Sequence, residues 1–254
     1  YLDTIKLILK RSQTSNDGTL HFFESLWDSY KFGMYDTMVS AEAIELFKLD
    51  LVSEGKAKSV ESFDSQRQSI ENISSKLGIS QYNALKNGAY LSKTESIDLA
   101  TKSTEIIDYS IFSSNKPSIS GDTLLSSDYK LGGKDISKYQ EPIKFNVHMD
   151  TLAYGNALSL VETHSKVVGP KTACFENTFA FNHTITIKAN SKVTAGSIVE
   201  IKLPKASDPS SRDDNLVDEY LSGNYLVTEV IHMFDADSMY TMKLQLARDT
   251  VKRG

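Results

Sequence analysis

Five histidines, a lone cysteine and two close pairs of carboxylates are the side chains of this 254-residue chain that invite a chemical reading. The histidines are His21, His148, His164, His183 and His232. No two stand four residues apart and no His-Glu-x-x-His string occurs, so the helix-borne zinc site that needs two imidazoles on one face is absent. Cys174 could serve as a nucleophile only if folding brought a histidine to it, and a lone cysteine is more often a small buried hydrophobe. Glu24 with Asp28, or Asp213 with Asp214, could act as the acid and base of glycoside hydrolysis, which places two carboxyl groups across the scissile bond. The second pair lies in a strongly polar stretch, where solvated surface charge is the simpler account, and the first has no supporting feature around it. No Gly-x-Ser-x-Gly elbow, phosphate-binding loop or dinucleotide-binding turn is present. Gly132-Gly133-Lys134 comes nearest to a phosphate cradle, but its glycine spacing is wrong and it reads as a loop tip. No residue is therefore assigned a catalytic, cofactor-binding or metal-binding role.

Whatever the chain does, its elements must position. The spacing of Leu2, Ile5, Ile8 and Leu9 predicts a short helix that stops at the turn-forming run 12–18. A strand is expected over 19–26, a short helix over 36–41 and a half-buried strand over 44–52. Val60, Phe63, Arg67, Ile70, Ile73 and Leu77 fall three and four apart, which predicts one helical stripe ending at Gly78. Two short strands joined by a turn at 98–102 are expected within 87–112, with Ile97 and Ile106 facing inward.

Residues 113–142, rich in Ser, Gly, Asp and Lys, read as a long surface excursion. The last third alternates apolar and polar residues over 184–189, 198–203 and 240–248, as strands with one buried face do. Tyr225 to Phe234 is apolar on both faces and is expected to lie centrally, covered on two sides. A hairpin turn is expected at Asp235 to Ser238, and a mobile polar loop over 205–222, chiefly Lys205 to Asp218. The fold class that follows is α+β and mostly β.

Composition narrows the function. The chain is 40% hydrophobic and 24% charged, as globular domains are. Thirty-three acidic against 28 basic residues leave a formal charge of -5, which disfavours adhesion to phosphate backbones or anionic lipid. The basic clusters, Lys6, Lys10 and Arg11 near the start and Lys252 and Arg253 at the end, read as solvated ends. One cysteine allows no internal disulfide and points to a reducing compartment, so the glycosylation sequons Asn72-Ile73-Ser74 and Asn182-His183-Thr184 read as coincidence. No apolar run reaches 18 residues. The chain opens on Tyr1 in an apolar-periodic stretch, and residues upstream of it are expected.

Four segments together resemble the central baseplate hub family of T4-like contractile-tailed bacteriophages. They are Thr19 to Glu24 with Tyr30-Lys31-Phe32 and Met34 to Met38; Asn87 to Lys93 leading to Asp98, Lys102 and Tyr109; Val193 to Pro204; and Ser222 to Phe234, with the closing strand that ends in Arg248-Asp249. The last two are the most specific. The resemblance implies a peripheral α+β middle domain over 1–79 and a small tube-like β-barrel over 80–254, carrying the polar insertion at about 113–142; that insertion has no counterpart in the family, and the family's first barrel would lie upstream of Tyr1. It further implies a structural, non-enzymatic role as a homotrimer. Each subunit would give two tube-like barrels to a pseudo-sixfold ring joining the sixfold tail tube to the threefold central spike. Spike, tube or tube-initiator, and wedge proteins would be its partners, DNA would pass through the lumen without specific binding, and the site would be the virion's tail baseplate. A tail-associated wall hydrolase and a glycan-binding tail module are the rival readings.

Overall fold

A computed structural model describes residues 2–12, 18–25, 29–49, 67–77, 86–98, 102–113, 119, 130–136, 145–150, 157–205, 217–234 and 240–250. The chain is α+β and mostly β. Its centre is one curled six-stranded sheet. In spatial order the strands are β3 (Leu46–Lys48), β11 (Ile198–Lys202), β12 (Gly223–Phe234), β13 (Tyr240–Arg248), β10 (Phe181–Lys188) and β4 (Ile70–Leu77). All neighbours are antiparallel except β3 and β11.

Curling brings the two edge strands together at a single parallel bridge between Lys48 and Ser69, so the half-barrel meets itself at one end. Lys48 N–H donates to Gln68 O at 2.8 Å across this seam. The Glu45 carboxylate braces it, accepting from the amides of Gln68 at 3.3 Å and Asn190 at 3.0 Å. Inside lies one core drawn from every strand: Phe47, Ile70, Ile185, Ile187, Val199, Ile201, Tyr225, Val227, Met242, Leu244 and Leu246 are all buried. Period-two alternation in β10, β11 and β13 sends these residues inward and Lys188, Glu200, Lys202, Lys243 and Gln245 outward.

A second sheet, in the order β6 (Ser103–Ser110), β5 (Leu91–Asp98), β9 (Phe145–Asp150), packs against the 22-residue helix α3 (Ala157–Thr178). Gly169 allows that packing: a Cβ there would stand 2.8 Å from Ser92 Oγ and 2.8 Å from Tyr109 Cβ. Helix α1 (Leu2–Arg11) precedes a hairpin of β1 (Leu20–Ser25) and β2 (Ser29–Met34), and α2 (Tyr35–Val39) follows it directly. Gly132 and Gly133, both at positive φ, make the two-residue turn between β7 (Lys130–Leu131) and β8 (Lys134–Asp135), which settles them as a hairpin tip.

Four expectations are corrected. Residues 70–77 form strand β4, not the end of a helix. Opposite β10 the register jumps from Ile187–Ile70 to Thr186–Asn72, leaving Glu71 as an extra, bulged residue. The bulge turns Ile70 and Ile73 to the same side, so an inward face on a strand acquires the three-residue spacing of a helix. The part of that predicted helix over 60–66 and its end at Gly78 lie outside the described residues.

Helix α3 is a second difference, since no element was expected over 157–178. Gly169-Pro170 lies inside it, and the close approach to β5 and β6 is what requires the glycine. Third, Ile106 points outward and is 54% exposed, while Ile107 of the same strand is half-buried. Fourth, β12 is central but covered on both sides only over Tyr225, Leu226 and Val227; beyond them Glu229, Ile231 and Phe234 are exposed.

Strands β3 and β4 come from the stretch expected to form the peripheral unit, yet they pair into the barrel sheet, whereas β5, β6 and β9 stand apart from it. Of the expected excursion at 113–142, Ile136 is fully buried against Ala89, Tyr90, Leu91 and Ile111. The turn at 235–238 and most of the loop at 205–218 lie outside the described residues.

Candidate functional site

Two buried polar junctions and one exposed aromatic surface are the places where side chains gather. The first junction sits at the end of the barrel core. His183 of β10 is buried between Ser75 Oγ of edge strand β4, 2.8 Å from Nδ1, and the Tyr225 hydroxyl of β12, 3.0 Å from Nε2. Tyr225 donates to Leu221 O at 2.6 Å, so its oxygen accepts from Nε2–H, and Nδ1 in turn accepts from Ser75. Arg248, itself buried, lies with its guanidinium carbon 5.3 Å from the Tyr225 ring centre and donates to Ser222 O at 3.0 Å. Gly223, at φ 130°, keeps the backbone clear of that guanidinium. Burial first, and the Arg248 charge second, hold the His183 imidazole below its ordinary pKa; burial raises the Tyr225 hydroxyl above its own.

This geometry is a structural tie. Every polar atom of His183 and the Tyr225 hydroxyl is spent on a neighbour within the fold, and neither side chain reaches a surface where a substrate could sit. Tyr225→Phe strands Nε2–H and Leu221 O in the interior, so a loss of about 1–3 kcal/mol is expected in urea unfolding. A loss under about 0.5 kcal/mol would show that the network adds nothing.

The second junction joins α3, α2 and the hairpin. Cys174 is completely buried among Tyr35, Ile198 and Leu226. Its Sγ lies 3.8 Å from Thr19 Oγ1 and 3.9 Å from Thr178 Oγ1, and Thr19 Oγ1 lies 2.7 Å from His21 Nε2. Folding therefore does bring a histidine near the cysteine, through a threonine, but in an enclosed core with no access for a substrate. Burial raises the Tyr35 hydroxyl, with the Asp249 and Cys174 groups adding to the effect, and lowers His21, assisted by the Lys171 charge.

The other candidates do not assemble. Glu24 is exposed on β1 opposite Tyr30, and Asp28, Asp213 and Asp214 lie outside the described residues. His148 falls on β9 and His164 on α3, whereas His232 pairs with the Tyr240 hydroxyl at 2.6 Å. Among the described residues no three His, Cys, Asp or Glu side chains converge as a metal site would need.

The aromatic run from Phe22 to Tyr35 divides between core and surface. Tyr35 is core. The strands before it form a surface: Phe22 stacks on Tyr30 with ring centres 5.5 Å apart and meets Phe32 at a tilt at 4.9 Å, and Tyr30 is 65% and Phe32 54% exposed, with Met34 beside them. A second exposed aromatic is Phe234, 77% exposed, which stacks on the half-buried Tyr240 at 4.5 Å. Exposed apolar area gathered in this way marks contact with another molecule more often than catalysis.

No protein-family model matches the chain, and no curated protein sequence matches it. Among solved structures, the tail protein from Neisseria meningitidis MC58 is similar over 91% of this chain and 50% of that one, with 11% identity and a TM-score of 0.45. The chain thus spans half the length of that protein.

Proposed function

We propose that this chain is a structural subunit of a phage tail, the baseplate hub, which assembles as a homotrimer and joins the sixfold tail tube to the threefold central spike. The observation that carries the reading is the fate of the two most specific hub-like segments. Val193 to Pro204 and Ser222 to Phe234 become β11 and β12, adjacent antiparallel strands at the middle of a small curled barrel, with Gly196 and Gly223 entering them at positive φ. Strand β13, which ends at the Arg248-Asp249 named with them, pairs directly with β12.

The buried polar residues support a non-enzymatic role, because they bind one another rather than an open cleft. The exposed aromatics Tyr30, Phe32 and Phe234 supply surface for partners, which on this reading are further copies of the chain, the spike, the tube or its initiator, and the baseplate wedges. A formal charge of -5 suits a channel wall that DNA passes without being held.

Light scattering on the intact gene product is expected to give a trimer, as closed cyclic assembly requires. A monomer at all accessible concentrations would overturn the proposal. Clearing of purified bacterial cell wall by the same protein would instead establish the hydrolase reading.

A further inference from the structure

The two faces of hairpin β1–β2 are unlike. Leu20, Phe22 and Glu24 stand opposite Met34, Phe32 and Tyr30, so these six share one face, while His21, Phe23, Lys31 and Gly33 share the other. The second face seats on the barrel: Phe23 lies so close to Gly196 that a Cβ there would overlap its ring, and Gly196 N–H donates to Val227 O of β12 at 2.8 Å. The first face therefore looks away from the barrel, with Tyr30, Phe32 and Met34 each more than half exposed. The single charge among its six residues is Glu24, which is exposed beside Tyr30.

The other aromatic patch stands at the far end of the same barrel strand. Phe234 follows Val227 by roughly 20 Å along β12, at about 3.3 Å per residue. It stacks on Tyr240 with the rings 11° from parallel, and the Tyr240 hydroxyl, 2.6 Å from His232 Nδ1, fixes the underlying ring. Lys188 ends β10 at this same end, opposite Thr241, and its neighbour Ala189 donates N–H to Tyr240 O at 3.2 Å. The Lys188 side chain is exposed. Among the described residues neither Glu24 nor Lys188 has an ion-pair partner. Each patch is thus an anchored set of rings beside one unspent charge, and the two charges are opposite in sign.

We propose that these patches are the two halves of one interface between copies of this chain: the Tyr30, Phe32 and Met34 face of one subunit receives the Phe234 and Tyr240 end of the next, with Glu24 set against Lys188. The inference rests on the hub reading, because a homotrimer closed by cyclic symmetry presents two different surfaces per subunit, one to each neighbour. The distance along β12 keeps one patch from covering the other within its own chain. Charge decides between like and unlike pairing, since hairpin against hairpin would oppose Glu24 to Glu24, and barrel end against barrel end Lys188 to Lys188. Rings held by few torsions bury a large area at small entropic cost, which suits them to the centre of the contact, with the ion pair at its rim.

Light scattering on the intact gene product over a dilution series reads the trimer, and substitutions test the pairing. Phe234→Asp is expected to raise the concentration needed for half assembly by more than about tenfold, as loss of an aromatic anchor does. The side chain is 77% exposed, so the urea midpoint of the variant should stay where it is. Glu24→Lys and Lys188→Glu should each raise that concentration by up to about fivefold, and both together in one chain should bring it back. On oxidation, Tyr30→Cys and Phe234→Cys mixed before assembly should give a disulfide-linked pair that neither variant gives alone. A trimer that Phe234→Asp leaves intact, a double reversal that does not recover, or no cross-link specific to the mixture overturns the interface and leaves the hub reading standing. An unmodified protein that is itself a monomer overturns both.

Discussion

Gly196→Val is expected to destabilise the chain by roughly 2–5 kcal/mol, seen as a lowered urea midpoint with little change in slope. Two costs meet at this position. Gly196 sits at φ 84°, where a side chain with a branched β-carbon adds about 1–2 kcal/mol of backbone strain. Any Cβ there would also stand 2.6 Å from Phe23 Cζ and 2.9 Å from Phe23 Cε2, an overlap of the kind that costs about 1–3 kcal/mol. The backbone has little room to yield, since Gly196 N–H is bonded to Val227 O at 2.8 Å and Val227 N–H to Ser197 O at 2.9 Å. The two costs separate in a double-mutant cycle: Phe23→Ala should relieve the overlap in the Gly196→Val background and leave the strain, giving a coupling of about 1–3 kcal/mol. Additivity of the two single changes would show that the ring and the turn do not meet as described.

Leu244→Ala is expected to cost about 2–5 kcal/mol by the same measurement. Leu244 is wholly buried at the middle of β13, paired with Ile185 on one side and Val230 on the other. Its neighbours approach from strands on both sides of a curled sheet, so the cavity cannot close by moving one element, and the upper part of the range is the expected result. Lys243→Ala, one residue away on the exposed face, should change stability by less than about 0.5 kcal/mol. A similar loss at both positions would contradict the inward and outward alternation of β13.

That alternation was legible without a structure. Over Ile185 to Lys188 of β10, Val199 to Lys202 of β11 and Met242 to Gln245 of β13 one face is enclosed and the other more open, so the period of the backbone is written into the residue types. Strands β5 and β6 fell where their turn at 98–102 placed them. Local patterning misled where the backbone departs from regularity. One bulged residue, Glu71, gave β4 a helical spacing, and the 22-residue helix α3 is packed through a glycine, Gly169, whose contacts come from Ser92 and Tyr109, far away in the chain.

The junctions were beyond the reach of sequence altogether. His183 meets Ser75 across 108 residues and Tyr225 across 42, and Cys174 meets Thr19 across 155. Nothing in the types of these residues favours such pairings over many others, because a hydrogen bond of about 3 Å is decided by where the strands and helices pack. By itself the sequence determined a mostly β chain with a modest negative charge, a set of alternating strands and no recognisable catalytic motif. Only the tertiary structure decided that six strands form one curled sheet whose edges touch at the Lys48–Ser69 bridge, that His183 is spent inside the fold, and that Tyr30, Phe32 and Phe234 are left outside, because burial belongs to the packed whole.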